Sequence, residues 1–127
     1  IVLDRAVEGD QFTTFIGGDN KKIGREAGKW VAKLLGATGG NVVELEGLMT
    51  STPGQDRHAG FLEGLDLAKN TNIKIVFTAD MQWLEPNARK EMASALALAK
   101  VLPYRPCGLP SAGPNPALGG SFFARMP

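Results

Sequence analysis

Residues 41–77 read NVVELEGLMTSTPGQDRHAGFLEGLDLAKNTNIKIVF, and this stretch decides the fold. Asn41 to Glu46 is a short run built on Val42, Val43 and Leu45, with the β-branched and apolar content of a buried strand. Gly47 to Gln55 is polar and carries Thr50, Ser51, Thr52 and Pro53, which reads as a loop. A helix is expected from about Asp56, with Phe61, Leu65 and Ala68 as its apolar stripe. Asn72 to Phe77 is the next strand, centred on Ile73, Ile75 and Val76. A strand, a helix and a strand in this order form a βαβ unit, and such units build a parallel sheet with short crossovers.

The same alternation extends in both directions. Downstream, the loop Thr78 to Pro86 precedes a helix from about Asn87 that carries Ala88, Met92, Ala95, Leu96 and Ala99. Upstream, Gly36, Gly39 and Gly40 end a helix in which Ile23, Ala27, Val31 and Leu34 share one face. Asp19 or Asn20 supplies its cap. Gly24 and Gly28 lie four apart on a neighbouring stripe and would permit close packing against a sheet. Before that helix, Ile1 to Leu3 and Phe12 to Ile16 read as strands, with Gly17-Gly18 breaking the second. The fold class is therefore α/β, a parallel sheet flanked by helices.

Composition narrows the function. Of 127 residues, 43% are hydrophobic and 21% charged, ordinary values for a globular protein. The formal net charge is +1, and Lys and Arg are mixed among acids, so no basic surface of the kind nucleic acid requires is written. No apolar run approaches the roughly 20 residues of a membrane span. One cysteine, Cys107, excludes an internal disulfide. A strand starting at Ile1, with no leader before it, is expected in a chain cut from something longer. Past about Leu96 the character changes. Residues 101–127 hold Pro103, Pro106, Pro110, Pro114, Pro116 and Pro127 and no acid at all. Prolines at that density forbid a helix or a central strand. This tail is expected to be irregular, and a reading-frame slip is one origin its composition fits.

Ligands of parallel α/β sheets gather where strands end and loops converge. The residues at those places are Asp4 and Arg5 after the first strand, Arg57 beyond the loop following Glu46, and Asp80, Gln82 and Trp83 after the strand that ends at Phe77. Carboxylate and guanidinium groups each grip neighbouring hydroxyls by charge-assisted hydrogen bonds. An indole face covers the apolar C–H face of a sugar. Taken alone, however, Asp4-Arg5 also reads as a surface ion pair, Arg57 as a solvated first-turn residue and Trp83 as a packing aromatic. His58, the only histidine, has no Cys or His at ligand spacing and reads as a surface or first-turn residue. No metal site is expected. Gly17, Gly18 and Gly24 do not make G-x-G-x-x-G, and neither a Walker A sequence nor a G-x-S-x-G elbow occurs. The residues favour a binding module over an enzyme, with no cofactor.

Five segments in register carry a family resemblance: Ile1 to Arg5, Ile16 to Asn20, Gly24 to Gly28, Val43 to Gly47, and Asp56 to Phe61. Together they resemble the middle of periplasmic sugar-binding proteins of ABC importers, the ribose-binding-like type I periplasmic binding proteins, over residues 1–96. The resemblance implies a two-lobed fold whose α/β lobes close on a sugar about hinge strands. Residues 1–18 would then be the end of the first lobe and a hinge crossing, 19–100 the first half of the second lobe, and 101–127 the Pro/Gly-rich tail. It also implies ligand-binding roles: Asp4 and Arg5 gripping hydroxyls from the first lobe, Arg57 bonding from the second, and Trp83 lying against the ring. Gln82 is a neighbour with weaker support.

The implied ligand is a monosaccharide or polyol, the implied partner a membrane ABC permease, and the implied location periplasmic or cell-surface. The same fold serves as the ligand-sensing domain of LacI-type transcription regulators, which is the alternative. The family continues into a strand ending near an Asn-Asp pair where this chain has its tail, and the start of the first lobe has no counterpart here. On that reading half the cleft is missing, and the fragment is not expected to close tightly on a ligand by itself.

Overall fold

In the computed structural model, residues 1–7, 9–101 and 122–126 are described. The expected alternation is present as two sheets. β1 (Val2–Leu3) and β2 (Phe15–Ile16) pair in parallel. The second sheet runs in the order β4 (Ile73–Asp80), β3 (Gly40–Glu46), β5 (Phe122–Met126), with β3 and β4 parallel and β5 antiparallel to β3. Its helices are α1 (Asn20–Leu35), α2 (Thr52–Leu65) and α3 (Glu85–Val101). No helix among the described residues is long and apolar enough to cross a membrane.

Helices cover both faces of β3, and side-chain alternation sorts its residues between them. Val42 joins Ala27, Val31 and Leu35 of α1, Phe61 and Leu65 of α2, and Ile73 in one core. Val43 and Leu45 join Met81 and Ala95 in the other, on the α3 side. A β-bulge falls between Val42 and Val43, where the register steps from Ile75 to Phe77.

Three local features differ from the sequence reading. α2 begins at Thr52 rather than near Asp56, because Pro53 sits in its first turn, where a fixed φ and a missing N–H are tolerated. Gly24 and Gly28 face a helix, not a sheet: a Cβ at Gly24 would lie 2.0 Å from the Arg57 carbonyl oxygen, and one at Gly60 would lie 2.1 Å from that of Lys21. Backbone therefore packs on backbone between α1 and α2. This rotates α1 so that Gly24, Ala27, Gly28, Val31 and Leu35 are buried, while Ile23 and Leu34 are exposed.

The third difference concerns the tail. Residues 102–121, with five of its six prolines, lie outside the described residues. Phe122-Phe123-Ala124-Arg125-Met126 does not fit the expectation of irregular chain, since it pairs with β3 from Asn41 to Leu45. The segment has no proline and two aromatics, a composition that suits a strand.

Candidate functional site

The carboxyl ends of β3 and β4 lie side by side, with Glu46 paired to Asp80. The loops that leave them are tied together by one carboxylate. Asp80 accepts the Met49 N–H through Oδ2 (3.1 Å) and the Gln82 N–H through Oδ1 (2.7 Å). The Met81 N–H donates to the Glu46 carbonyl at 3.0 Å, and the Leu84 N–H closes a turn onto the Met81 carbonyl at 2.8 Å. These bonds hold Gln82 and Trp83 at φ 52° and 58°, a left-handed conformation that is sterically strained for such side chains.

The strained turn lays the Trp83 indole on Gly47. A Cβ there would stand 2.1 Å from Cη2 and 2.3 Å from Cζ2 of the ring. The Arg57 guanidinium carbon lies over the same ring, 5.2 Å from its centroid, within cation–π range. Arg57 also donates from Nε to Asn20 Oδ1 at 2.9 Å, which orients the guanidinium between the starts of α1 and α2. Trp83 keeps 37% of its surface exposed. A cavity of about 210 Å³ adjoins it, lined by Leu45, Met81, Leu84 and Ala88 with Glu46 and Glu85. Arg57 is not part of that lining, and a polyol would find few partners inside it. The half-buried Arg57 and the exposed Trp83 form a separate, more polar surface beside it.

Arg57 and Trp83 are thus brought into contact. Asp4 and Arg5 follow β1 in the bend beyond the two-stranded sheet, both exposed, with Asp4 at φ 67° and its N–H donating to the Ile16 carbonyl at 2.9 Å. One residue on, the Ala6 carbonyl accepts from Thr52 Oγ1 at 3.1 Å, linking this segment to the start of α2. Gln82 is exposed beside Trp83.

His58 is not the solitary surface residue the sequence suggests. Its Nδ1 lies 3.0 Å from Glu44 Oε1 and 2.8 Å from Glu46 Oε1. Glu44 is 3% exposed, and burial pushes its carboxyl above the ordinary glutamate range despite the His58 contact. Burial also raises Glu46, with the neighbouring Asp80 charge adding to it. The three side chains form a group: one nitrogen or oxygen from each can be chosen so that all lie within 4.8 Å of one another. Local spacing gave no sign of it, because both glutamates lie on β3, more than ten residues before the histidine. Alternation does place Glu44 and Glu46 on one strand face, and that was the available signal.

Comparison with known proteins agrees with this architecture. The periplasmic binding protein domain family matches residues 1–103. A D-ribose/D-allose-binding protein of Pseudomonas aeruginosa is 38% identical over 82 residues, 65% of this chain and 24% of the relative. The fructose-binding periplasmic domain of a hybrid two-component system superposes with a TM-score of 0.70 at 41% identity, over 76% of this chain and 31% of that one. The periplasmic component of the arabinose ABC transporter of Shewanella sp. ANA-3, bound to α- and β-L-arabinofuranose, gives 0.71 at 27% identity, over 80% and 33%. The chain therefore spans about a quarter to a third of the length of these relatives. With a match that covers most of its length, and with the α/β layering described above, the chain belongs to the periplasmic binding protein domain family.

Proposed function

We propose that this chain is part of an extracytoplasmic receptor that captures a monosaccharide or related polyol and delivers it to an ABC permease, without catalysis. The observation that carries the reading is the Arg57–Trp83 pair, held at 5.2 Å by a strained turn at the carboxyl ends of two parallel strands. A guanidinium beside an exposed indole offers hydroxyls their donors and gives the C–H face of a pyranose or furanose its cover. Arg57 bonds the sugar from this lobe and Trp83 lies against its ring. Asp4 and Arg5 grip hydroxyls from the preceding lobe, to which residues 1–18 belong. Gln82 stands at the margin.

The relatives support this choice of ligand class. The Pseudomonas protein is named for ribose and allose, and the Shewanella protein holds arabinofuranose. They lend no weight to the regulator-domain alternative. Calorimetric titration of the full-length protein with pentoses, hexoses and cyclic polyols tests the proposal. One sugar binding at micromolar Kd or tighter, about −8 kcal/mol, with no turnover product, is the expected result. Binding by none of the panel would overturn it.

A further inference from the structure

We propose that Glu44, Glu46 and His58 form a site for one first-row divalent cation, which ties β3 to α2 one residue away from Arg57. The argument begins with a shortage of protons. Nδ1 of His58 faces two carboxylate oxygens at 3.0 and 2.8 Å, yet a ring nitrogen carries at most one hydrogen. It cannot satisfy both glutamates fully. The shortage is sharpened by Glu44, whose side chain is 4% exposed and whose second oxygen, Oε2, is buried with no hydrogen-bond partner among the described residues. A buried carboxylate left in that state is costly. A cation removes the conflict, because each group then acts as a lone-pair donor.

The geometry and charge agree. One donor atom from each residue can be chosen so that all lie within 4.8 Å of one another. Metal bonds to nitrogen and oxygen are about 2.0–2.2 Å long. His58 Nδ1 and each carboxylate oxygen, 3.0 and 2.8 Å apart, would subtend angles near 90° at such an ion, which a shell completed by water accommodates. Two carboxylates and a neutral imidazole carry a charge that a divalent ion balances. The mixed nitrogen and oxygen set suits Mn²⁺, Co²⁺, Ni²⁺ or Zn²⁺ better than Ca²⁺ or Mg²⁺ alone. His58 is 29% exposed and Glu46 11%, so an ion can enter and water can complete its shell, while Glu44 anchors it from the core. His58 binds through Nδ1 with its proton on Nε2.

This site is independent of the sugar reading, and so is its test. Untagged full-length protein is stripped with a chelator and dialysed against Zn²⁺, and against Co²⁺ as a coloured probe. Bound metal is counted by elemental analysis and the thermal midpoint is followed. One ion per chain, a raised midpoint, and a fall in affinity of at least about tenfold in Glu46→Gln and His58→Gln are the expected results. Glu63→Gln, an exposed α2 position paired with Arg25 and Lys21 of α1, should bind metal as the parent does. Glu44→Gln is the most disruptive variant, and the two partly exposed positions decide the question if it does not fold. No stoichiometric uptake at micromolar free metal, or uptake unchanged in His58→Gln, would overturn the proposal.

Discussion

Replacing Gly47 with alanine isolates the contact that seats Trp83. The added Cβ would stand 2.1 to 2.5 Å from three ring carbons, whereas relaxed carbon–carbon contacts are about 3.5–4.0 Å. The ring must therefore withdraw by more than about 1 Å. The obstacle is the end of a partly exposed side chain, not backbone, so the fold should yield cheaply, with a stability change within about 1 kcal/mol. Binding should respond far more. Moving the indole off its seat weakens the Arg57–Trp83 contact, worth about 0.5–1 kcal/mol at an exposed site. It also misplaces the face offered to the sugar, and the two effects together amount to roughly a tenfold loss of affinity. The assay is calorimetric titration of parent and variant with the best sugar, alongside urea unfolding. Unchanged affinity with a well-folded variant would refute the reasoning. So would a loss of stability as large as the loss of binding energy, since it would make the effect structural.

Three further outcomes are expected. Gly60→Ala sets a helix-propensity gain of about 1 kcal/mol against a Cβ 2.1 Å from the Lys21 carbonyl oxygen and 2.9 Å from the Arg25 nitrogen. Backbone cannot swing aside, so the overpacking term of about 1–3 kcal/mol should win, and a raised midpoint in thermal unfolding would show that the helices separate freely. Asp80→Ala removes the two side-chain acceptors among the bonds that hold the turn, so Trp83 should become more accessible to acrylamide quenching in a Trp30→Phe background, and identical quenching would count against the clamp. Glu63 is held below its ordinary 4.5 chiefly by the Arg25 hydrogen bond; burial opposes that shift, and Lys21 adds to the lowering. Its contribution should be present above that value and lost as pH falls through the lowered one; midpoints of parent and Glu63→Gln should converge in acid, and a gap that widens there would contradict the assignment.

The sheet was legible because β3 and β4 are runs of apolar residues whose burial depends on neighbours in sequence. Arg57 and Trp83 could be singled out by position after strands, but their contact could not, since it depends on Gly47 being bare and on two residues held at positive φ. The face of α1 was misjudged for a related reason. Hydrophobic periodicity points to Ile23 and Leu34, whereas close backbone approach makes the glycines the centre of the interface. The partners of His58 lie across a strand–helix contact, beyond what spacing along one helix can show. Phe122 to Met126 were hidden by the prolines before them, because composition was judged over the whole tail rather than over its last strand-length segment.

The central claim is that Arg57 and Trp83 bind a sugar. It is tested most directly by calorimetric titration of the best ligand against full-length Arg57→Ala and Trp83→Ala, with Trp30→Ala as a control on the exposed surface of α1. Loss of a charge-assisted hydrogen bond of about 1.5–3 kcal/mol should weaken binding roughly 10- to 100-fold in the first variant. A loss of similar order is expected in the second, with the control unchanged. Full affinity in both site variants, with the fold intact by circular dichroism, would contradict the account and place the ligand elsewhere.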